Sequence, residues 1–303
     1  MRLTKSGKVK DVYEVDDRHL EFVFSDRISV FDKIIPSNIP HKGETLARTS
    51  AYWFEIIKEM GIPNHFIRLN APNKMLVKRV SVISDYSKLN DKTRNYLIPL
   101  ECVVRYYVYG SLWDRVQRNV IVPENLGFAK GHRVRIAEPL PKPFFEVTTK
   151  LEKVDRHLTV DEALEIAGIS QGEYDQINEV TLRIDEEINS RVRDRGLIHV
   201  DGKKEFAFNE ERELIVVDTF GTADEDRFWD AEEFELGRCV ERSKEFVRRY
   251  YRETGYHDML MRARSEGLEE PPIPPLPEDM IKQVSETYIK LFEDITGQSF
   301  RSL

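Results

Sequence analysis

An α+β fold of two lobes, built mainly from antiparallel sheets with flanking helices, is what this sequence predicts. Hairpin signatures stand near the start, where residues 6–15 and 19–24 are joined by Asp16-Asp17, and again late, at 203–209 and 214–220. Helical periodicity fills the intervals between and after them, at 44–60, 161–167, 171–195, 231–253 and 278–295. A chain of 303 residues with 40% hydrophobic content can bury a sizeable core, in one large domain or in two lobes.

Along the first strand, Lys8 and Lys10 share one face while Val9 and Asp11 take the other, and Gly7 lets backbone approach a ligand closely. Two ammonium groups side by side favour an anion. A solvated lysine face on an edge strand is the bland alternative and the commoner fate of such lysines. The helix at 44–60 places Leu46, Thr49, Ser50, Trp53, Phe54 and Ile57 on a core stripe and ends at Gly61 and Pro63. Lys42-Gly43 at its entrance serves equally as a phosphate contact or as a plain loop-to-helix junction.

Strands follow at 74–83 and 101–109, separated by a polar excursion at 84–95. In the second, Glu101, Val103, Arg105, Tyr107 and Tyr109 share a face. Arg105 reads either as a snorkelling edge residue or, with Gly110 and Ser111 just beyond, as part of a phosphate-ester grip. A long loop at 129–143 leads to the strand-like segment 143–152, in which Lys150 follows a Thr-Thr pair; a solvated lysine is the usual reading there. Thr159 caps the helix at 161–167 and Gly168 closes it. Ser170 and Glu173 form a capping-box signature for the helix at 171–195, whose buried stripe is Tyr174, Ile177, Val180, Ile184, Ile188 and Val192.

The helix stops at Gly196, and the late hairpin follows. With 210–213 as a four-residue loop, Phe208 faces Ile215 and Glu205 faces Asp218. Two ionised carboxylates across a ladder repel, and a hard cation such as Mg²⁺ between them removes the difficulty. A solvated edge hairpin is an equal alternative on residue types alone. A loop one residue shorter or longer would put the two acids on opposite faces, and the metal reading would fall. The C-terminal part is helical, interrupted by a proline-rich loop at 271–277.

A formal net charge of −8 argues against a general nucleic-acid binder, which needs a basic face. Cys102 and Cys239 are far apart and lack metal-ligand spacing, so neither a disulfide framework nor a zinc site is expected. No apolar run suggests a secretory signal or a membrane span, and a cytoplasmic location is the default expectation. Dinucleotide GxGxxG, P-loop, HExxH, GxSxG and CxxC motifs are missing.

Seven stretches in order, GKVKDVY (7–13), DRISVFD (26–32), IPHKGE (39–44), PLECVVRYYVYGS (99–111), TTKLE (148–152), DGKKEF (201–206) and DTFGTADEDRFW (218–229), resemble the phosphoribosylaminoimidazole-succinocarboxamide synthase, or SAICAR synthetase, family. The resemblance implies a two-lobed protein with an ATP cleft between an N-terminal nucleotide lobe, 1–84, and a larger substrate- and metal-binding lobe with C-terminal helices, 85–303. It implies an ATP- and Mg²⁺-dependent ligase of de novo purine synthesis that joins L-aspartate to carboxyaminoimidazole ribonucleotide through an acyl phosphate, releasing ADP and phosphate. By the same resemblance Lys8 and Lys10 bind the nucleotide phosphates, and Glu205 and Asp218 flank the metal. Arg105, Ser111 and Arg227 grip the ribonucleotide phosphate, Asp201 and Lys203 lie beside the imidazole, and Lys150 stands at the cleft mouth. Tyr109, Ala207, His41 and the length of 84–95 depart from the family pattern without removing a chemical group. A kinase, another ATP-dependent carboxylate–amine ligase, or a non-catalytic nucleotide-binding regulator are the alternative expectations. A homo-oligomer is compatible with the sequence.

Overall fold

The computed structural model describes residues 1–242 and 244–301. The first part contains β1 (Arg2–Ser6), β2 (Lys10–Glu14), β3 (His19–Phe24), β4 (Arg27–Val30), β5 (Lys33–Asn38), α1 (Lys42–Glu59), β6 (Phe66–Ala71) and β7 (Lys74–Lys78). Five of these strands form an antiparallel sheet in the order β1-β2-β3-β7-β6, and β4 with β5 makes a separate hairpin. Phe31 and Asp32, at its tip, both have positive φ (51° and 64°), as a tight primed turn requires.

The predicted strand 6–15 is two strands. Gly7 N–H donates to the Lys10 carbonyl across 2.9 Å, and Arg27 donates to the Gly7 carbonyl, so residues 7–9 form a turn. Lys8 and Lys10 therefore do not share a strand face. The predicted strand 74–83 ends at Lys78. Beyond it Ser81 bridges Tyr96 and links the first sheet to the second.

The second sheet comprises β8 (Tyr96–Leu97), β9 (Leu100–Tyr107), β10 (Pro139–Thr149), β11 (Leu197–Phe208), β12 (Leu214–Val217) and β13 (Asp226–Asp230). Its main path is β10-β9-β11-β12, with β8 and β13 also pairing with β11. The loop predicted at 129–143 gives way to β10 at Pro139, and a register shift between Pro139 and Phe144 accommodates the prolines. α2 (Ser111–Gln117) follows β9, and α3 (Val160–Ala167) and α4 (Gln171–Arg193) lie between β10 and β11. Both capping boxes are formed, Thr159 with Glu162 and Ser170 with Glu173, each satisfying N-terminal backbone donors. The stripe of α4 packs on β11.

The register of the late hairpin differs by one residue from the expected one: Glu205 pairs with Val217, Ala207 with Ile215 and Phe208 with Leu214. Asn209 is the cause. Its side-chain oxygen accepts the N–H groups of Glu211 and Glu213 while its own N–H donates to the Glu213 carbonyl at 3.0 Å, so Asn209 closes on Glu213 instead of Leu214 and the register moves by one.

After β13 the chain forms α5 (Ala231–Glu235), α6 (Glu245–Glu253), α7 (Tyr256–Glu266) and α8 (Glu278–Thr296). The single helix predicted at 231–253 is interrupted because Gly237 has φ 77° and Glu241 bridges Trp229 beside β13. Ser243, within that predicted helix, lies outside the described residues. α8 docks on α1, and one apolar core joins Phe22, Trp53 and Phe54 to Ile188, Phe206 and Tyr288. Among the described residues, no helix is long and apolar enough to cross a membrane.

Arg212, with φ 64° in the hairpin loop, ties three distant segments together. Its guanidinium pairs with Glu173 at 2.8 Å and donates to the carbonyls of Thr93 (2.5 Å) and Gly168 (3.2 Å) while stacking over Phe208. Hydrogen bonds to a charged group stabilise by roughly 1.5–3 kcal/mol, so Arg212→Ala should cost about 2–3 kcal/mol in urea unfolding at an unchanged m-value. An unaltered midpoint would show the guanidinium to be dispensable.

Candidate active site

Strand β11 carries the site by alternation. Asp201, Lys203 and Glu205 fall on one face, and Gly202, Lys204 and Phe206 on the other. Because β9 flanks it on one edge and β13 on the other, with Asp201 opposite both Arg105 and Arg227, cations and anions meet across the ladder.

A cleft of about 1210 Å³ opens between this face and the N-terminal sheet, lined by Lys8, Lys10, Lys150, Lys203, Glu205, Asp218 and Glu225 among others. Its volume exceeds the roughly 300–1,000 Å³ that one small ligand occupies. Lys203 stands 2.9 Å from Glu101, 3.3 Å from Glu225 and 3.4 Å from Glu205. Burial alone would lower its pKa, but Glu225, Glu205 and Glu101 override that and hold the ammonium well above its usual value. Glu205 is 2% exposed, and Lys150 lies 2.5 Å from it. Burial would raise its pKa, yet Lys150 and Lys203 bring it down to about 2.

Asp218 reaches the cleft by a route other than strand pairing. It lies one residue beyond β12 with φ 63°, a left-handed conformation that takes its side chain out of the alternation. His65, whose pKa burial and then Lys10 lower to about 3, is neutral and donates to the Asp218 carbonyl at 3.2 Å. The carboxylate is paired with Lys10. Lys10 packs over Phe22, 4.9 Å from the ring centre, and burial lowers its pKa to about 8 against the raising effect of Glu225 and Glu205. Lys8 stays at the rim, half exposed, paired with Asp32 at 2.6 Å.

Arg105, Ser111, Asp201 and Arg227 form a second cluster next to the cleft. Arg105 is buried in a central strand, which replaces the edge reading: it pairs with Glu146 at 2.7 Å and Asp201 at 3.3 Å, and donates to Ser111 Oγ at 3.0 Å. Arg227 reaches the same Asp201 carboxylate at 2.6 Å and lies over the Tyr109 ring. Gly110, φ 55°, leaves room for that guanidinium, since a Cβ would come within 3.1 Å of it. Two guanidinium groups and a hydroxyl around one carboxylate can receive a phosphate monoester.

Sequence reasoning missed Glu225, Glu101 and Glu146 as site groups. Glu101 was placed on the Arg105 face, and strand periodicity was its available signal. Glu225 follows an irregular loop that no periodicity orders. Lys42, by contrast, is buried against Asp224 at 2.6 Å, and the junction reading of Lys42-Gly43 holds.

The one-residue register shift removes the cross-strand facing of Glu205 and Asp218 on which a shared cation was expected, and both acids are held by lysines, Lys150 and Lys10. The cleft keeps the donor chemistry: Glu205, Asp218 and Glu225 all line it, carboxylate oxygen is what a hard divalent cation takes, and Glu205 Oε2 is buried without a well-directed hydrogen-bond donor. The Asp185, His199 and Asp226 group is a different case, because Lys204 already supplies the positive charge there.

Comparison with known proteins places the whole chain among relatives of one family. A family model described as SAICAR synthetase matches residues 3–263. The chain is similar to the phosphoribosylaminoimidazole-succinocarboxamide synthase of Thermoplasma acidophilum, 54% identical over 300 residues, covering 99% of this chain and 100% of the relative. It is also similar to the solved SAICAR synthase of Saccharomyces cerevisiae complexed with SAICAR, at 25% identity and a TM-score of 0.77, covering 99% and 96% of the two chains. A SAICAR synthetase solved in complex with ADP matches at 25% identity and a TM-score of 0.68, covering 97% and 98%. With the match spanning the lysine–carboxylate cleft and the arginine cluster alike, the chain belongs to the SAICAR synthetase family.

Proposed function

We propose that this protein joins L-aspartate to carboxyaminoimidazole ribonucleotide at the expense of ATP, giving SAICAR, ADP and phosphate in de novo purine synthesis in the cytoplasm. The observation that carries this reading is the alternating face Asp201, Lys203, Glu205, which runs from the arginine and serine cluster into the lysine and carboxylate cleft. Residues at i and i+2 lie about 6–7 Å apart along a strand, so acceptor and phosphoryl donor are held by same-face neighbours two residues apart. The family relationship and the likeness to proteins complexed with SAICAR and with ADP support the same reading.

In this reading the N-terminal part, to about residue 84, contributes Lys8 and Lys10 to the nucleotide phosphates, and the remainder binds the acceptors. Arg105, Arg227 and Ser111 hold the ribonucleotide phosphate, and Asp201 orients both arginines. The substrate carboxylate oxygen attacks the terminal phosphorus of ATP and ADP leaves. The aspartate amine, having lost its proton, then attacks the acyl carbon, and the C–O bond to phosphate breaks. Lys203 and Lys150 stabilise charge on the transferring phosphoryl group, and Lys203, held protonated by its three carboxylate neighbours, acts as an electrostatic clamp rather than a base. Glu205 and Asp218 would hold Mg²⁺, which when bound offsets phosphate charge.

Purified protein given ATP, Mg²⁺, L-aspartate and carboxyaminoimidazole ribonucleotide should form ADP and the succinyl product in equal amounts. ADP release that ignores either acceptor would instead favour a kinase or another ligase, and nucleotide binding without turnover a regulator. Glu205→Gln and Asp218→Asn should each lower kcat on the order of 10²–10³-fold with an unchanged circular dichroism spectrum. A near-normal rate in either would remove its carboxylate from the chemistry. Lys10, charged below about pH 8, loses its proton above it, so metal-free ADP binding should weaken by up to about tenfold per pH unit on the alkaline side. Lys10→Arg should flatten that dependence; a profile identical to the parent's would assign it to another group.

A further inference from the structure

Directly behind the substrate-facing side of β11 lies a group of side chains that the reaction does not use. Asp226, Lys204, Asp185 and His199 are all fully enclosed. Lys204 pairs with Asp185 from α4 and, at 3.0 Å, with Asp226; His199 Nε2 lies 2.8 Å from the same Asp226 oxygen. The other Asp226 oxygen accepts the Gly221 N–H at 2.9 Å. Gly202, between Asp201 and Lys203, makes the space: a Cβ there would overlap the Asp226 carboxylate and the Lys204 ammonium.

Asp226 thus joins two things. On one side it is fastened to β11 through Lys204 and His199, and by its own pairing opposite Gly202. On the other it suspends the irregular segment 218–225, which carries Asp218 at one end and Glu225 at the other. That segment has no strand pairing of its own, and Asp226 does not line the cleft. A buried charged acceptor holds an N–H more firmly than a neutral one, and an unpaired buried carboxylate is strongly unfavourable, so the pairing with Lys204, together with Trp53 Nε1–H donating to the Gly221 carbonyl at 3.0 Å, fixes where Gly221 can sit.

We infer that Asp226 is a positioning residue: by holding the Gly221 amide from behind β11, it sets Asp218 and Glu225 at the nucleotide end of the cleft. The inference rests on the ligase reading for what that end binds. Asp185 acts only as a counterion to Lys204, and its removal leaves the three contacts of Asp226 in place. His199 steadies Asp226, while its ring also stacks on Phe228.

The test is calorimetric ADP binding in the presence of Mg²⁺ to the full chain and to Asp226→Asn, Asp185→Asn and His199→Phe, alongside KM for the ribonucleotide and thermal melting. Groups that orient ligands from behind typically change affinity by about 10–100-fold when removed. Asp226→Asn should therefore weaken ADP at least about tenfold while leaving the ribonucleotide KM within about threefold. His199→Phe should shift ADP affinity in the same direction by less, and Asp185→Asn should leave it within about twofold. A purely structural network would lower the melting temperature in the two Asp variants alike without changing ADP affinity, and that outcome overturns the inference. Should Asp226→Asn fail to fold, an unaltered ADP affinity in His199→Phe overturns it as well. ADP binding is read without turnover, so a failed ligase assay in the parent protein counts against the proposed function alone.

Discussion

Everything at the centre of this protein follows from one constraint: a strand buried on both faces carries ionised side chains on both. Asp201, Lys203 and Glu205 face the cleft, and Lys204 faces α4. A buried charge without a partner is costly, so each of these groups has an opposite charge beside it, supplied by β9, β13, α4, the segment after β12 or, for Glu205, Lys150 just past β10. The surrounding elements are held in place partly by that requirement. Apolar packing of α1, α4 and α8 supplies the bulk of the stabilisation, while the ion pairs decide which side chain stands where.

The same pairing prepares the cleft for ligands. Lys10 sits on Asp218, Lys150 on Glu205, and Lys203 among Glu101, Glu205 and Glu225. Under the proposed function, a polyphosphate with a divalent cation would offer the lysines anions and the carboxylates a cation, so one set of pairs would exchange for another with little change in net burial of charge. The arginine cluster follows the same logic, with the Asp201 carboxylate set between the two guanidinium groups and orienting both. Tyr109 belongs to this arrangement, since its ring lies under Arg227.

Backbone conformation supplies what alternation lacks. Glu205 and Asp218 line the same cleft although the hairpin register separates them, because Asp218 adopts φ 63° just past the strand end. His41 likewise sits at φ 67° at the start of α1. Asp218 holds that conformation beside the cleft, whereas His41 holds it at the exposed entrance of α1.

The sequence by itself determined α1, α4 and α8 with the Ser and Thr caps before α3 and α4, the presence of an early and a late hairpin, and the seven ordered motifs. Those signals are local: a 3.6-residue stripe, a Ser or Thr three residues before a Glu, a period of two. Tertiary structure alone decided the turn at 7–9 that parts Lys8 from Lys10, the one-residue shift of the late hairpin, the central burial of Arg105, and the place of Glu225. Each of these depends on a partner distant in the chain, Arg27 for Gly7 and Asp201 for Arg105, or on a loop geometry such as that of Asn209. Periodicity carries no record of such partners, because the free energy that selects them arises only when the segments meet.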